Sequence, residues 1–179
     1  MKPWADDILH FWFDHVGPAH WFAPRPQLDG EIRERFCPLW EELKAEAPMF
    51  FLVGPRQALA AVILFDQFPR NMFREEAEAF STDGQALGIA RQAIDMGYDE
   101  QLDDARKSFL YMPFMHSERS DDQDRSVELF RAAGLDDNIA FAERHRDLIR
   151  RFGRFPHRNP VLGRESSAAE LQAIEDWRA

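Results

Sequence analysis

The chain has a single cysteine, Cys37, in 179 residues. No intrachain disulfide can form, and a zinc site built on cysteine pairs is excluded. Lysine is nearly as scarce. Nineteen of the 22 basic residues are arginine, so positive charge arrives as a planar fork suited to carboxylate or phosphate rather than as a point ammonium. No apolar run approaches the roughly 20 residues that span a bilayer, which argues against a membrane partner. The opening Met1-Lys2-Pro3-Trp4-Ala5-Asp6-Asp7 sets two acids where a secretory leader turns apolar. With the lone thiol, this predicts a cytoplasmic protein. A formal net charge of −10 opposes general nucleic-acid binding, because phosphates demand a positive surface.

Catalytic signatures are missing as well. There is no Gly-x-Ser-x-Gly elbow, no Walker phosphate loop, no Rossmann glycine fingerprint and no His-Glu-x-x-His. No cofactor and no metal are expected, and the balance leans away from an enzyme.

Sixteen Phe and five Trp are present in their place, enough large rings to fill one core. The length and the absence of linkers predict one helical domain over 1–179. Trp4 to Val16 has apolar residues at helical spacing and stops at Gly17-Pro18. Asp29 is placed to cap a second helix, interrupted or restarted at Pro38, that ends near Ala47-Pro48. Pro55 opens Ala58 to Phe65, apolar on every side, and such a helix must be surrounded by others. Three capping boxes follow, Thr82 with Gln85, Ser120 with Gln123 and Ser167 with Glu170, each predicting a helix start. Asp137 starts a further helix that Gly153 ends. Only Met49-Phe50-Phe51-Leu52-Val53 reads as a strand, and one strand makes no sheet. The reading is all-α, a tetratricopeptide-like stack of antiparallel helix pairs forming an irregular α-α superhelix.

Three stretches carry a resemblance: Phe65-Asp66-Gln67-Phe68-Pro69-Arg70-Asn71-Met72-Phe73-Arg74, Phe109 to Glu118, and His145 to Asn159. They resemble, in order, motifs of a mainly bacterial family catalogued as domain of unknown function nine-two-four, over roughly Asp29 to Glu170. The resemblance implies an all-helical fold similar to the tetratricopeptide-repeat superfamily without its regular repeat. It implies no activity.

From Arg144 to Arg164 there are seven arginines and one acid, Asp147. Arg146, Arg150 and Arg154 fall at successive i+4 steps, where like charges repel by roughly 0.2–0.5 kcal/mol per pair. Something negative should face them: Glu118, Asp66, a helix C-terminus or an anionic ligand. The turns Phe68-Pro69-Arg70-Asn71 and Phe155-Pro156-His157-Arg158-Asn159 echo each other. Proline fixes their backbone and leaves the polar side chains little freedom to lose on binding. Asp66 follows the apolar helix and needs a partner, which Arg70 can supply. His116 and Glu118 offer acid-base groups two residues apart. His145, on a face with Phe141, Leu148 and Phe152, reads as a core histidine.

The candidate site is therefore a cleft of Asp66, Arg70, Asn71, His116, Glu118, Arg154, His157, Arg158 and Asn159, brought together by the two echoing turns and serving a small anionic ligand or peptide. One alternative is a hydrolase using His, Glu and Asp in the same cleft. The other is a polar network that holds helices together and binds nothing.

Overall fold

The computed structural model describes residues 2–178. Its helices are α1 (Pro3–Leu9), α2 (Pro26–Leu43), α3 (Pro55–Val62), α4 (Phe68–Met72), α5 (Asp83–Asp95), α6 (Asp104–Met115), α7 (Ser120–Ala132), α8 (Asp136–Phe152) and α9 (Ala168–Arg178). No strand occurs among the described residues, so the protein is all-α. Met49 to Val53, the strand-like run, contains a 3-10 turn, Pro48–Phe51. The run has no second strand to satisfy its backbone, so it turns. Phe51 enters the core while Met49 and Val53 face solvent.

The chain forms two compact units, one of residues up to Arg74 with Glu78–Pro113, the other of Glu75–Ala77 with Phe114 onward. In the first unit α1 continues through a π-helical stretch, His10–Val16, and α3 passes through another, Ile63–Gln67, into α4. Residues Ala58 to Phe65 are wholly buried, as an all-round apolar helix requires. α1 and α5 pack on α3, and α2 packs on α4. Rings of Trp12, Phe36, Phe11 and Phe68 meet edge-on or tilted there, with Phe36 and Phe68 centroids 4.7 Å apart.

Pro69 explains why the first capping box does not form. It has no N–H to give the carbonyl of Phe65, four residues earlier. The Thr82 hydroxyl donates to that carbonyl at 2.7 Å and accepts from Trp40 Nε1 at 3.2 Å. A buried orphan carbonyl outranks a solvent-facing helix start. The second box also fails, for a similar reason. Gln123 donates its amide to the carbonyls of Met115 and Ser117, both at 2.7 Å, where α6 runs out of its own donors. The third box forms as expected: Ser167 N–H donates to Glu170 Oε2 at 2.8 Å and Glu170 N–H to Ser167 Oγ at 3.2 Å.

α2 starts at Pro26, ahead of Asp29, and passes Pro38 without interruption. Pro113 lies inside α6. In the second unit α7 and α8 run antiparallel. Arg131 pairs with Glu143, and Asp124, earlier on α7, pairs with Arg150, later on α8, at 2.7 Å. Gly153 at φ 70° takes the left-handed conformation that ends α8. Below it Leu148, Ile149, Phe155 and Ala173 form a core, with Phe152 and Trp177 against it.

Replacing Thr82 by Val should destabilise the protein by about 1–3 kcal/mol, because two buried partners lose their hydrogen bonds while the volume stays nearly constant. Urea unfolding at neutral pH measures it.

Candidate functional site

Each unit holds its own polar cluster. In the first, the Asp66 carboxylate is fully buried. It accepts from Gln67 Nε2 at 2.6 Å and lies 3.5 Å from Arg70. Arg70 donates to the Asp66 carbonyl at 2.5 Å and grips Asp83 with both nitrogens, at 2.8 and 3.0 Å. Burial opposes a charge on Arg70, and the carboxylates of Asp83 and Asp66 override it, so the guanidinium stays protonated. Asn71 donates to Asp29 at 2.8 Å, and Arg74 pairs with the same carboxylate. Asp29, expected to cap α2, instead ties α2 to Asn71 of α4 and to Arg74 just after it. Its burial raises the carboxyl, and Arg74 with Asn71 more than compensates, leaving it below the ordinary range.

The second unit places Glu118, Arg154 and Asn159 in one network. Glu118 receives two bonds from Arg164, at 2.9 and 3.0 Å, and the Phe155 N–H at 2.8 Å. Burial would raise this carboxyl; the Arg164 fork, the Phe155 N–H and the Arg158 charge pull it below the usual range instead. Arg154 grips Glu170 at 2.7 and 3.1 Å. That fork, with the Ser167 N–H, pulls the Glu170 carboxyl down to about 2. Asn159 donates to Ser166 Oγ at 3.0 Å and accepts from Arg164 at 2.8 Å.

The arginine stripe ends early, because α8 stops at Phe152 and Arg154 turns to Glu170. The acid facing the stripe is Asp124 on α7, 3.8 Å from Arg146 and 2.7 Å from Arg150.

His116, His157 and Arg158 belong to a different arrangement. Arg158 is buried, lies 4.6 Å from the Phe155 ring and donates to the His116 carbonyl at 2.9 Å. His157 stacks flat on Trp177, with centroids 4.8 Å apart and planes 5° off parallel. His145 meets the same indole edge-on at 4.8 Å, Phe155 at 5.5 Å and His116 at 6.1 Å. All three imidazoles and Trp177 are half-buried. The Nδ1 of His145 lies 2.7 Å from the Phe141 carbonyl, so it carries the proton and the ring is fixed as one neutral tautomer. Burial, then the charges of His116, His157 and Arg158, pushes its pKa down to about 3 despite that bond.

Beside the cluster, α8 and α9 leave an open groove of about 410 Å³, with Arg144, Asp147, Arg151, Asp176 and Trp177 on its walls. Among the described residues no group of three or more His, Cys, Asp or Glu is arranged to hold a metal ion. No helix among them is long and apolar enough to cross a membrane. His145 and Trp177 are absent from the cleft that the motifs single out. The i−4 carbonyl and the 32-residue separation that define their roles leave no mark in a local pattern.

Comparison with known proteins agrees with the motifs. The family model described as "Bacterial protein of unknown function (DUF924)" matches residues 8–176. A solved structure of a protein of unknown function from Agrobacterium tumefaciens is 38% identical, with a TM-score of 0.89, over 96% of this chain and 97% of that one. No curated protein matches.

Asp66→Ala should destabilise the fold by about 3–5 kcal/mol, the range for breaking a buried pair, as read by chemical denaturation. The acid limb should carry the mark of His145. Its folded pKa of about 3 lies below the ordinary 6.5, so the unfolded chain binds the extra proton between them. Stability is then full above 6.5 and falls as pH drops toward 3. Urea midpoints between pH 7.5 and 4.5 should decline in the wild type and decline less steeply in His145→Phe.

Proposed function

We propose that this chain, which belongs to the DUF924 family of bacterial proteins of unknown function, is a binding module for a small anionic ligand or peptide. One observation carries the reading: His145 and His157 meet the rings of Phe155 and Trp177, the Arg158 guanidinium lies over Phe155, and the His116 ring packs against His145. Imidazole and guanidinium groups supply donors for carboxylate or phosphate, and two aromatic rings fix their orientation. The sequence-derived cleft divides by chemical role in this reading. Asp66, Arg70, Asn71, Glu118, Arg154 and Asn159 form framework pairs. His116, His157 and Arg158 serve the ligand.

A cytoplasmic location suits this role, with Cys37 the lone thiol. So does a tetratricopeptide-like stacking of helix pairs, for which the antiparallel α7 and α8 supply one unit. A hydrolase built on His116 and Glu118 is the weaker reading. Glu118 is clamped by Arg164 and the Phe155 N–H, which holds its carboxyl ionised and leaves it ill suited to carry a proton.

Calorimetric titration with inorganic phosphate at pH 6.5 tests the proposal. Saturable binding is expected, and His157→Ala should weaken it at least about tenfold, or about 1.4 kcal/mol, while the thermal midpoint moves little. Arg158→Lys should weaken it as well. That variant also loses the bond to the His116 carbonyl, so some stability goes with it. No heat from the wild-type protein with phosphate, acetate or an acidic peptide would remove the reading.

A further inference from the structure

We propose that the groove between α8 and α9 is a binding site for an α-amino acid with a cationic side chain, of the lysine or arginine type. The inference goes beyond the anion site at the histidines and does not rest on it. It starts from the shape of the groove. α8 supplies one stripe of residues at three- and four-residue spacing, from Ala140 through Arg144 and Asp147 to Arg151, and α9 supplies Asp176 and Trp177. Leu148 and Ala173, both buried, give the groove its apolar surface. Its volume of about 410 Å³ suits a small molecule.

Charge decides which small molecule. Three carboxylates and two guanidinium groups line the groove, and two of the five are already matched. Glu143 pairs with Arg131 of α7. Arg144 is matched by α9: it lies 4.4 Å from the Trp177 ring centroid and donates to the carbonyls of Asp176 and Trp177, at 2.9 and 3.3 Å. Those carbonyls are the negative end of that helix's dipole. Asp147, Asp176 and Arg151 remain, all three exposed. Among the described residues the Asp147 carboxylate joins no hydrogen bond or ion pair, and the Arg151 guanidinium rests only on the ring of its neighbour Phe152, 4.8 Å from the centroid. The Asp176 carboxylate accepts one bond, from the Gln172 amide at 3.0 Å.

Two negative charges and one positive call for a ligand with two positive charges and one negative. A basic amino acid carries that set on a short frame. Its ammonium and carboxylate share one carbon, so an acid and a base one turn apart on a helix meet both ends. Asp147 accepts from the ammonium, and Arg151 lays its fork on the carboxylate. The methylene chain covers Leu148 and Ala173. The terminal cation reaches Asp176 on the other helix. A neutral amino acid fills only the α8 side, and a dicarboxylate meets two acids with no cation to offer them. Because the groove is open, water screens each contact, and the affinity expected is on the order of millimolar.

Nitrogen-15 NMR of the full chain, titrated with L-arginine at neutral pH and constant ionic strength, tests the site. Saturable backbone shifts are expected along the α8 stripe and at the end of α9. L-citrulline has the same length with a neutral end, and Nα-acetyl-L-argininamide stands for an arginine inside a peptide. Each should bind at least about threefold more weakly than L-arginine. Asp147→Asn, Asp176→Asn and Arg151→Gln change exposed groups outside the core, and each should weaken L-arginine binding to a similar degree. Asp176→Asn should also erase the preference over citrulline. No saturable shift at tens of millimolar would overturn the site. Equal binding of the three compounds, unchanged affinity in all three variants, or shifts confined to the histidine cluster would overturn it as well.

Discussion

A helix that is apolar on every side must be enclosed, and a carboxylate at its end must then be paired. That double constraint organises the first unit. Enclosure of Ala58 to Phe65 calls α1, α2 and α5 into place around α3 and α4. The π-helical stretch Ile63–Gln67 and Pro69 disturb the backbone just where Asp66 is buried. The disturbance leaves polar groups that only distant residues can satisfy: Thr82 reaches the Phe65 carbonyl, and Asp83 holds Arg70 beside Asp66. Chain connectivity thus places α5 doubly, by its apolar face and by the two polar residues at its start.

The second unit applies the same logic to its acids. Glu118 and Glu170 each collect an arginine fork and a backbone N–H, and these two anchors fix the segments before α7 and α9. Most of the arginine excess from Arg144 to Arg164 is consumed this way, or by Asp124. His145 and His157 lie half-buried against Phe155 and Trp177, with His116 packed on His145.

Helices were legible in the sequence because their signals are local. Apolar spacing marked α1, the all-round apolar run after Pro55 marked α3, Gly153 marked the end of α8, and the Ser167–Glu170 box marked α9. Thr82 and Gln123 carry the same capping signature, yet tertiary demand redirected both: Thr82 answers the carbonyl left by Pro69, and Gln123 the end of α6. A local pattern cannot reveal such a competing partner. The same limit applies to the polar residues. Asp66 and Arg70 were readable as a pair because they are one helical turn apart, whereas Glu118 with Arg164 and Arg144 with Trp177 are joined only by the fold. His145 read as a core residue, and the Phe141 carbonyl does satisfy one of its nitrogens. Its neighbours are what give it further interest.

We propose that the histidines clustered beside Trp177 and Phe155 meet a ligand while the forked arginines hold the fold. Nitrogen-15 NMR of the histidine rings and arginine side chains, followed through a titration with inorganic phosphate, tests it most directly. Saturable shifts are expected at the His116 and His157 rings, with the Nε signals of Arg70, Arg154 and Arg164 unchanged. Saturable shifts at those three arginines with the histidines silent, or no saturable shift anywhere, would contradict it.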